Sequence, residues 1–521
     1  MFPRKTSALI TPLALFAATW SLSVSAPVHA APPLLIPRPK KITATEGASY
    51  VLPASPRIVI AKDATVGEKR AAFLLKNELK VYYGRTATTV TVPRAALAAQ
   101  KSGIVIGDKT AAPPPPNPEG YTINATASRV ALAGRDSAGS YWAAQTLVQL
   151  FDKNGAGKTI VHPARIVDYP SLKLRGVHLF YGKDALPFQK KLIDRVFARY
   201  KMNALFIQAE QVRWNHDPEV APAWAGNKAD LKTQIAYAKA HGITMYPLVQ
   251  GYGHMEWLFN KADNKKYAED PDKPYAVNFS DPAAVKYVEG FITEADDLFH
   301  APAFHVGLDE VHMRGRMPYR SKGKTFPQLY VGAVKHYKTL FAKRGKPIYI
   351  WADMGLFPKE VSPDFGTART PAEAKAVRDG LPRDIYLANW QYGERDVYPS
   401  MDLYKKEGFK NLIATTWNRP GNIPGFSKKM VEIGGIGAIQ STWAGYESKE
   451  SQLSNADWRP QFTAFVLAAE YFWNGGTGPA PEKLPYNWNT VFAKSYAGVS
   501  ASDAVAYKPG AGAKSVASRK R

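Results

Sequence analysis

Eight short apolar runs, rich in β-branched and aromatic residues, recur between residues 172 and 443 and constrain the fold more than any other feature. They occupy 172–180, 203–209, 243–250, 303–309, 347–353, 384–390, 411–417 and 437–443. Amphipathic stretches such as 188–200 and 230–242 separate them. Strand and helix in strict alternation signal a parallel sheet. Eight such units are the number that closes a (β/α)8 barrel. An open, doubly wound sheet would more often carry a glycine-rich nucleotide loop behind an early strand, and none is found. The expected fold class is therefore α/β, a (β/α)8 barrel over residues 166–480.

Ahead of the barrel, residues 31–165 read as a small α/β domain. The runs at 57–61 and 103–107 are strand-like, 121–136 reads as a hairpin, and 68–84 and 137–151 read as helices. Residues 481–521 form a C-terminal extension, whose end from Tyr507 is mostly Lys, Gly, Ala, Ser and Arg and is expected to be disordered. Residues 1–30 have the form of a signal peptide. Arg4 and Lys5 give the positive start, Ala8 to Trp20 is mostly apolar, and Val28-His29-Ala30 makes a small-residue cleavage site. The expected location is secreted or periplasmic. No other run is apolar and long enough to cross a bilayer, so stable membrane insertion is not expected.

With no cysteine, the chain can hold no disulfide, thiolate metal site or cysteine nucleophile. Its net charge of +24 raises nucleic acid as a partner. The positive charge is spread along the chain, however, without a recognition motif, so no nucleic-acid partner is expected.

Active residues of such barrels sit at the C-terminal ends of the strands. Here that rule gathers Glu210 after the second run, His254 after the third, and Asp309-Glu310 at the end of the fourth. Trp351 and Asp353 come from the fifth, Trp390 and Tyr392 from the sixth, Trp417 from the seventh and Trp443 from the eighth. Acids, one histidine and a ring of aromatics suit a sugar, whose C–H faces pack on indoles while its hydroxyls want charged partners. His305, Gly307 and Asp309 are expected to share one side of the fourth strand. Adjacent acids on a strand end cannot easily flank a sugar from opposite faces, as the usual glycosidase pair must. The pair fits a different division of labour, with one carboxyl moving protons and the other positioning a nucleophile carried by the substrate.

The stretch FHVGLDE (304–310) resembles the His-x-Gly-Gly-Asp-Glu signature of glycoside hydrolase family 20, the β-N-acetylhexosaminidases. Residues 168–179, 246–259 and 350–354 are similar to further barrel segments of that family, and 35–42 and 121–150 to the domain that precedes its barrel. The resemblance implies an exo-acting enzyme that removes terminal N-acetylglucosamine or N-acetylgalactosamine with retention, through an oxazolinium intermediate. It implies that Glu310 is general acid and base, and that Asp309 holds the acetamido N–H. Glu210–His254–Glu310 would form a relay, and Arg175 would grip the hydroxyls of the terminal sugar. Trp351, Trp390 and Trp443 would wall the pocket, and Tyr392 would donate to the acetamido oxygen. The implied partner is an N-acetylhexosamine-containing glycan. The mechanism needs no metal and no cofactor. Leu308 stands where the signature has its second glycine, and Glu210 where an Asp is common. A related glycosidase of other sugar specificity and a non-catalytic glycan-binding barrel are the alternative readings.

Overall fold

The computed structural model describes residues 34–361 and 365–505. The segment read as a signal peptide and the end of the basic tail lie outside the described residues. The described residues form one compact unit.

Eight parallel strands close into a barrel in sequence order. They are Leu174–Phe180, Ala204–Gln208, Thr244–Leu248, Phe304–His305, Ile348–Trp351, Tyr386–Asn389, Asn411–Thr416 and Gly437–Gln440, here called barrel strands one to eight. Each falls within one of the eight runs marked in the sequence. Inward side chains fill the barrel in layers. Leu174, Ala204, Phe206, Tyr349, Ile413 and Ile439 plug the end at which the strands begin. Leu248, Trp351 and Ala388 form a second cluster, with Trp390 and Trp443 packed against it. The barrel is therefore solid below, and any ligand must enter at the strands' C-terminal mouth.

The small domain is a seven-stranded mixed sheet with two helices, Val66–Tyr83 and Ser137–Leu147, packed against each other. The first helix begins in a capping box. Thr65 Oγ1 accepts from the Glu68 backbone N–H, and Glu68 Oε2 accepts from that of Thr65. It stops at Gly84, whose φ of 61° suits a residue without a Cβ. Ser137–Leu147 is shorter than the helix read at 137–151, because the chain turns into a strand, Phe151–Lys153.

A buried polar cluster joins the two parts. Asp168 accepts from Tyr121 Oη at 2.5 Å and from Trp473 Nε1 at 2.9 Å, and pairs with Lys201 at 3.3 Å. The extension after the barrel is described as far as Val505. Its helix Trp488–Tyr496 docks on the barrel, where Ser495 Oγ meets Tyr200 Oη at 2.6 Å. Its last turn meets the small domain, where the Ala501 N–H donates to Glu78. No helix among the described residues is long and apolar enough to cross a membrane.

Candidate active site

Strand alternation would send two adjacent acids to opposite faces. The fourth barrel strand avoids this by ending at His305. Beyond it the chain takes left-handed conformations at Gly307 (φ 70°), Leu308 (φ 71°) and Glu310 (φ 49°). The expected His305, Gly307, Asp309 alternation is therefore replaced by a tight turn. Its effect is to bring both carboxyls to one histidine. His254 Nε2 lies 3.4 Å from Asp309 Oδ2 and 3.4 Å from Glu310 Oε2.

Gly307 is required by space as well as by φ, since a Cβ there would come within 1.8 Å of Gln250 Oε1. Gln250 clamps the turn. Its Nε2 donates to Asp309 Oδ1 at 2.7 Å, while its Oε1 accepts the Leu308 N–H at 3.1 Å. Behind the turn, Asp353 accepts the Glu310 N–H at 2.9 Å, the Thr367 hydroxyl at 2.7 Å and Trp390 Nε1 at 3.3 Å. Gln250 and Asp353 are positioning residues; Asp353 was gathered at the mouth by its sequence position but given no role, and Gln250 was not singled out. Both follow directly on barrel strands, so the mouth rule points to them.

Burial and charge set the ionisation of the group. Burial opposes a charged Asp309, but the His254 cation and the Gln250 amide overcome it and hold the carboxyl below its usual value. Burial likewise opposes a charged His254, yet Asp309 and Glu310 push it up to about 11. His254 is thus a cation at neutral pH, placed between two acids. Burial, reinforced by the charge of Asp309, pushes Asp353 up to about 7. Burial also pushes Glu210 up to about 7.

The acids open into a cavity of about 510 Å³ at the barrel mouth, walled by Trp390, Tyr392 and Trp443. Tyr392 Oη accepts from Trp443 Nε1 at 2.9 Å and lies 3.2 Å from Ser441 Oγ, whose own proton goes to the Thr416 carbonyl at 2.8 Å, so the Tyr392 proton points to Ser441. Trp351 is buried at 1% exposure beside His305 and Trp443, and lies outside the cavity lining. It is part of the floor and not of the wall.

Two further expectations are corrected. Arg175 does not reach the mouth. It sits second in barrel strand one, between Leu174 and Gly176, whose positions face the barrel interior. Alternation therefore turns it outward, against the small domain. There it pairs with Glu119 at 2.5 Å and donates to the carbonyls of Lys201 and Leu172 at 2.9 Å. The relay from Glu210 is not formed either. Glu210 Oε1 accepts from the Gln250 N–H at 2.9 Å and from Gln208 at 3.1 Å, its Oε2 has no partner, and it acts on His254 through charge alone. Among the described residues, no group of three His, Asp or Glu is arranged to hold a metal ion.

Two family models match the chain. Glycosyl hydrolase family 20, domain 2, matches residues 32–169, and the catalytic domain of the same family matches residues 190–370. The chain belongs to glycosyl hydrolase family 20. The catalytic match includes His254, Asp309, Glu310 and Asp353, and ends before barrel strand six. The chain is 25% identical over 291 residues to a lacto-N-biosidase of Bifidobacterium bifidum, which covers 50% of this chain and 25% of that protein. It is 25% identical over 344 residues to a β-hexosaminidase of Vibrio furnissii, covering 58% of this chain and 53% of that one. The chain thus spans between a quarter and about half of the length of these curated relatives. Two solved structures share its fold. An N-acetyl-β-hexosaminidase of Streptomyces plicatus aligns over 90% of this chain and 95% of its own, with TM-score 0.63 and 18% identity. An exo-β-N-acetylglucosaminidase of Vibrio harveyi aligns over 89% and 76%, with TM-score 0.65 and 16% identity.

Proposed function

We propose that this family 20 protein hydrolyses the β-glycosidic bond of a terminal N-acetylhexosamine, with retention and with the substrate's acetamido group as nucleophile. The observation that carries the reading is the convergence of Asp309 and Glu310 on one nitrogen of His254. Two carboxyls so close cannot stand on opposite faces of a sugar ring. They can divide the work on one side of the cavity.

Glu310, about one-third exposed at its side chain, gives its proton to the glycosidic oxygen as the bond to C1 breaks. The acetamido oxygen closes on C1 from the other face and forms an oxazolinium ring. Asp309, pinned by Gln250 and kept anionic, accepts the acetamido N–H and offsets the positive charge that develops. Tyr392 turns its proton from Ser441 to the acetamido oxygen and aims it at C1. Water then adds to C1, Glu310 takes back a proton, and the amide is restored with the original configuration. The indoles of Trp390 and Trp443 take the ring's C–H surface. Glu210 and Gln208 lie close enough behind the mouth to set the cavity's shape on that side. The form of residues 1–30 supports export to the compartment where such glycans occur.

Turnover of aryl N-acetyl-β-glucosaminide and of aryl β-glucoside tests the proposal. The first should be cleaved and the second poorly, because the plain glucoside carries no internal nucleophile. Glu310→Gln and Asp309→Asn should each lose most of the activity. Full activity in Glu310→Gln removes the assignment, and binding of N-acetylglucosamine without any turnover favours a glycan-binding barrel.

A further inference from the structure

The chain's net charge of +24 plays no part in the proposed chemistry, and around the cavity mouth it is unevenly placed. Residues 311–325, which leave directly from Glu310, carry five cations and no Asp or Glu. Residues 444–457, after barrel strand eight, carry three acids and one lysine. The basic loop packs on residues 261–280, which follow barrel strand three. Glu269 accepts the N–H groups of Tyr319 and Ser321 at 2.7 and 2.9 Å, and Asp270 accepts that of Arg316 at 2.8 Å.

Those contacts and ion pairs use up most of the acids on this face. Arg314 pairs with Glu256, and Arg316 pairs with Asp270 and Asp272. Lys265, Lys266, Lys273, Arg320, Lys322 and Lys324 remain, all exposed and none with an ion-pair partner among the described residues. Against these six stands one unengaged acid in the two loops, Asp263. Arg320 donates to the backbone carbonyls of Lys266 and Ala268, which seats it beside the lysines, and Lys324 donates to Ser280 Oγ at 3.3 Å. Like charges gathered in this way repel one another, a cost that bound anions relieve.

The patch is continuous with the cavity. Glu256 lines the cavity and holds Arg314, the first cation of the basic loop. Glu310 must reach the glycosidic oxygen, so the leaving side of a glycan passes the loop that begins behind it. We infer that the rim built by residues 261–273 and 311–325 is a docking surface for a polyanionic glycan, whose carboxylate or sulfate groups rest on Arg320, Lys322 and Lys324 while its chain leads to the cavity. The choice of a glycan over a nucleic acid rests on the proposed function; the attraction of the rim for a polyanion does not.

The test measures equilibrium binding of the full chain at 0.15 M salt to polygalacturonate, dextran sulfate, unmodified dextran and duplex DNA. The expected result is binding of at least one anionic glycan, no weaker than that of DNA at equal charge, none of dextran, and release at 1 M salt, where the screening length falls to about 3 Å. Polygalacturonate alone assigns carboxylate to the rim, and dextran sulfate alone assigns sulfate. Reversing three rim charges together, Arg320→Glu, Lys322→Glu and Lys324→Glu, should weaken binding by at least about tenfold, the low end of what focused charge does for association. Reversing three exposed lysines on the small-domain helix Val66–Tyr83, Lys69→Glu, Lys76→Glu and Lys80→Glu, changes net charge equally and should stay within about twofold of the parent. Both variants should keep turnover of aryl N-acetyl-β-glucosaminide within about twofold, which reports their folding. Arg320 also bonds backbone, so Lys322→Glu with Lys324→Glu decides the question if the triple variant does not fold. Equal weakening by the two triples puts the attraction in net charge and overturns the inference. Failure to bind either anionic glycan overturns it too, whatever the turnover, and tighter binding of DNA overturns the choice of partner. A parent that binds these glycans without turning over any aryl N-acetylhexosaminide keeps the docking surface and loses the proposed function.

Discussion

Gln250 Nε2 donates to Asp309 Oδ1 at 2.7 Å, and the same side chain's Oε1 fixes the backbone turn that carries Asp309. One amide thus orients the anion and helps keep it ionised, since the bond favours the charged form. Replacing it with an apolar side chain, Gln250→Leu, should let the Asp309 pKa rise. The acid limb of the kcat/KM profile on aryl N-acetyl-β-glucosaminide should then move to higher pH by about one unit, as expected for a lost hydrogen bond to a charged group. A fall in kcat with an unmoved acid limb would mean that Gln250 only shapes the turn.

Arg175 separates a structural role from a substrate-binding one. It is 1% exposed and paired with Glu119 across the junction of barrel and small domain. Removing one member of a buried pair strands the other, at a cost of about 3 kcal/mol or more. Arg175→Ala should therefore lower the melting temperature markedly, and the folded fraction should keep the KM of the parent. A raised KM at unchanged melting temperature would put the guanidinium back in the sugar site.

The barrel was legible because parallel strands buried on both faces leave continuous apolar runs, and all eight runs became strands. The small domain was less so. Lys41–Ala44 is largely exposed, Thr88–Val92 lies at a sheet edge and Tyr50–Val51 is two residues long, so none carries an apolar signal. The mouth rule located His254, Asp309, Glu310, Trp390, Tyr392 and Trp443 around one cavity. Arg175 came from family likeness and not from the mouth rule, and the alternation of Leu174 and Gly176 turns it outward. The rule could not anticipate the turn after His305, because left-handed conformations at Leu308 and Glu310 leave no compositional trace.

Glu210 makes stability depend on pH. Its carboxyl has an ordinary value of 4.5 and is pushed up to about 7 by burial. Between those values the folded protein keeps a proton that the unfolded chain has released. Its contribution to stability is therefore full below about 4.5 and is lost as pH rises through about 7. Glu210→Gln removes this dependence. The variant should gain on the parent between pH 5 and pH 8 by an amount on the order of 3 kcal/mol, read from urea melts at the two pH values. Parallel stability curves for the two proteins would contradict the buried, protonated state.

Leu308 sets two effects against each other. Its φ of 71° costs a residue with a Cβ about 1–2 kcal/mol, which glycine would not incur. Against this, the side chain is fully buried in the main barrel core. Deleting a buried leucine down to alanine alone costs about 2–5 kcal/mol, and glycine adds backbone freedom to the unfolded chain. Burial outweighs the strain, so Leu308→Gly should lower stability although it restores the residue that the family signature carries. Because Gln250 still holds the backbone N–H of residue 308 and Tyr330 its carbonyl at 3.1 Å, the turn should survive and kcat/KM should stay within a few-fold of the parent. Thermal melts and kinetics on one preparation decide it, and a stabilised variant would show that strain, not burial, dominates at this position.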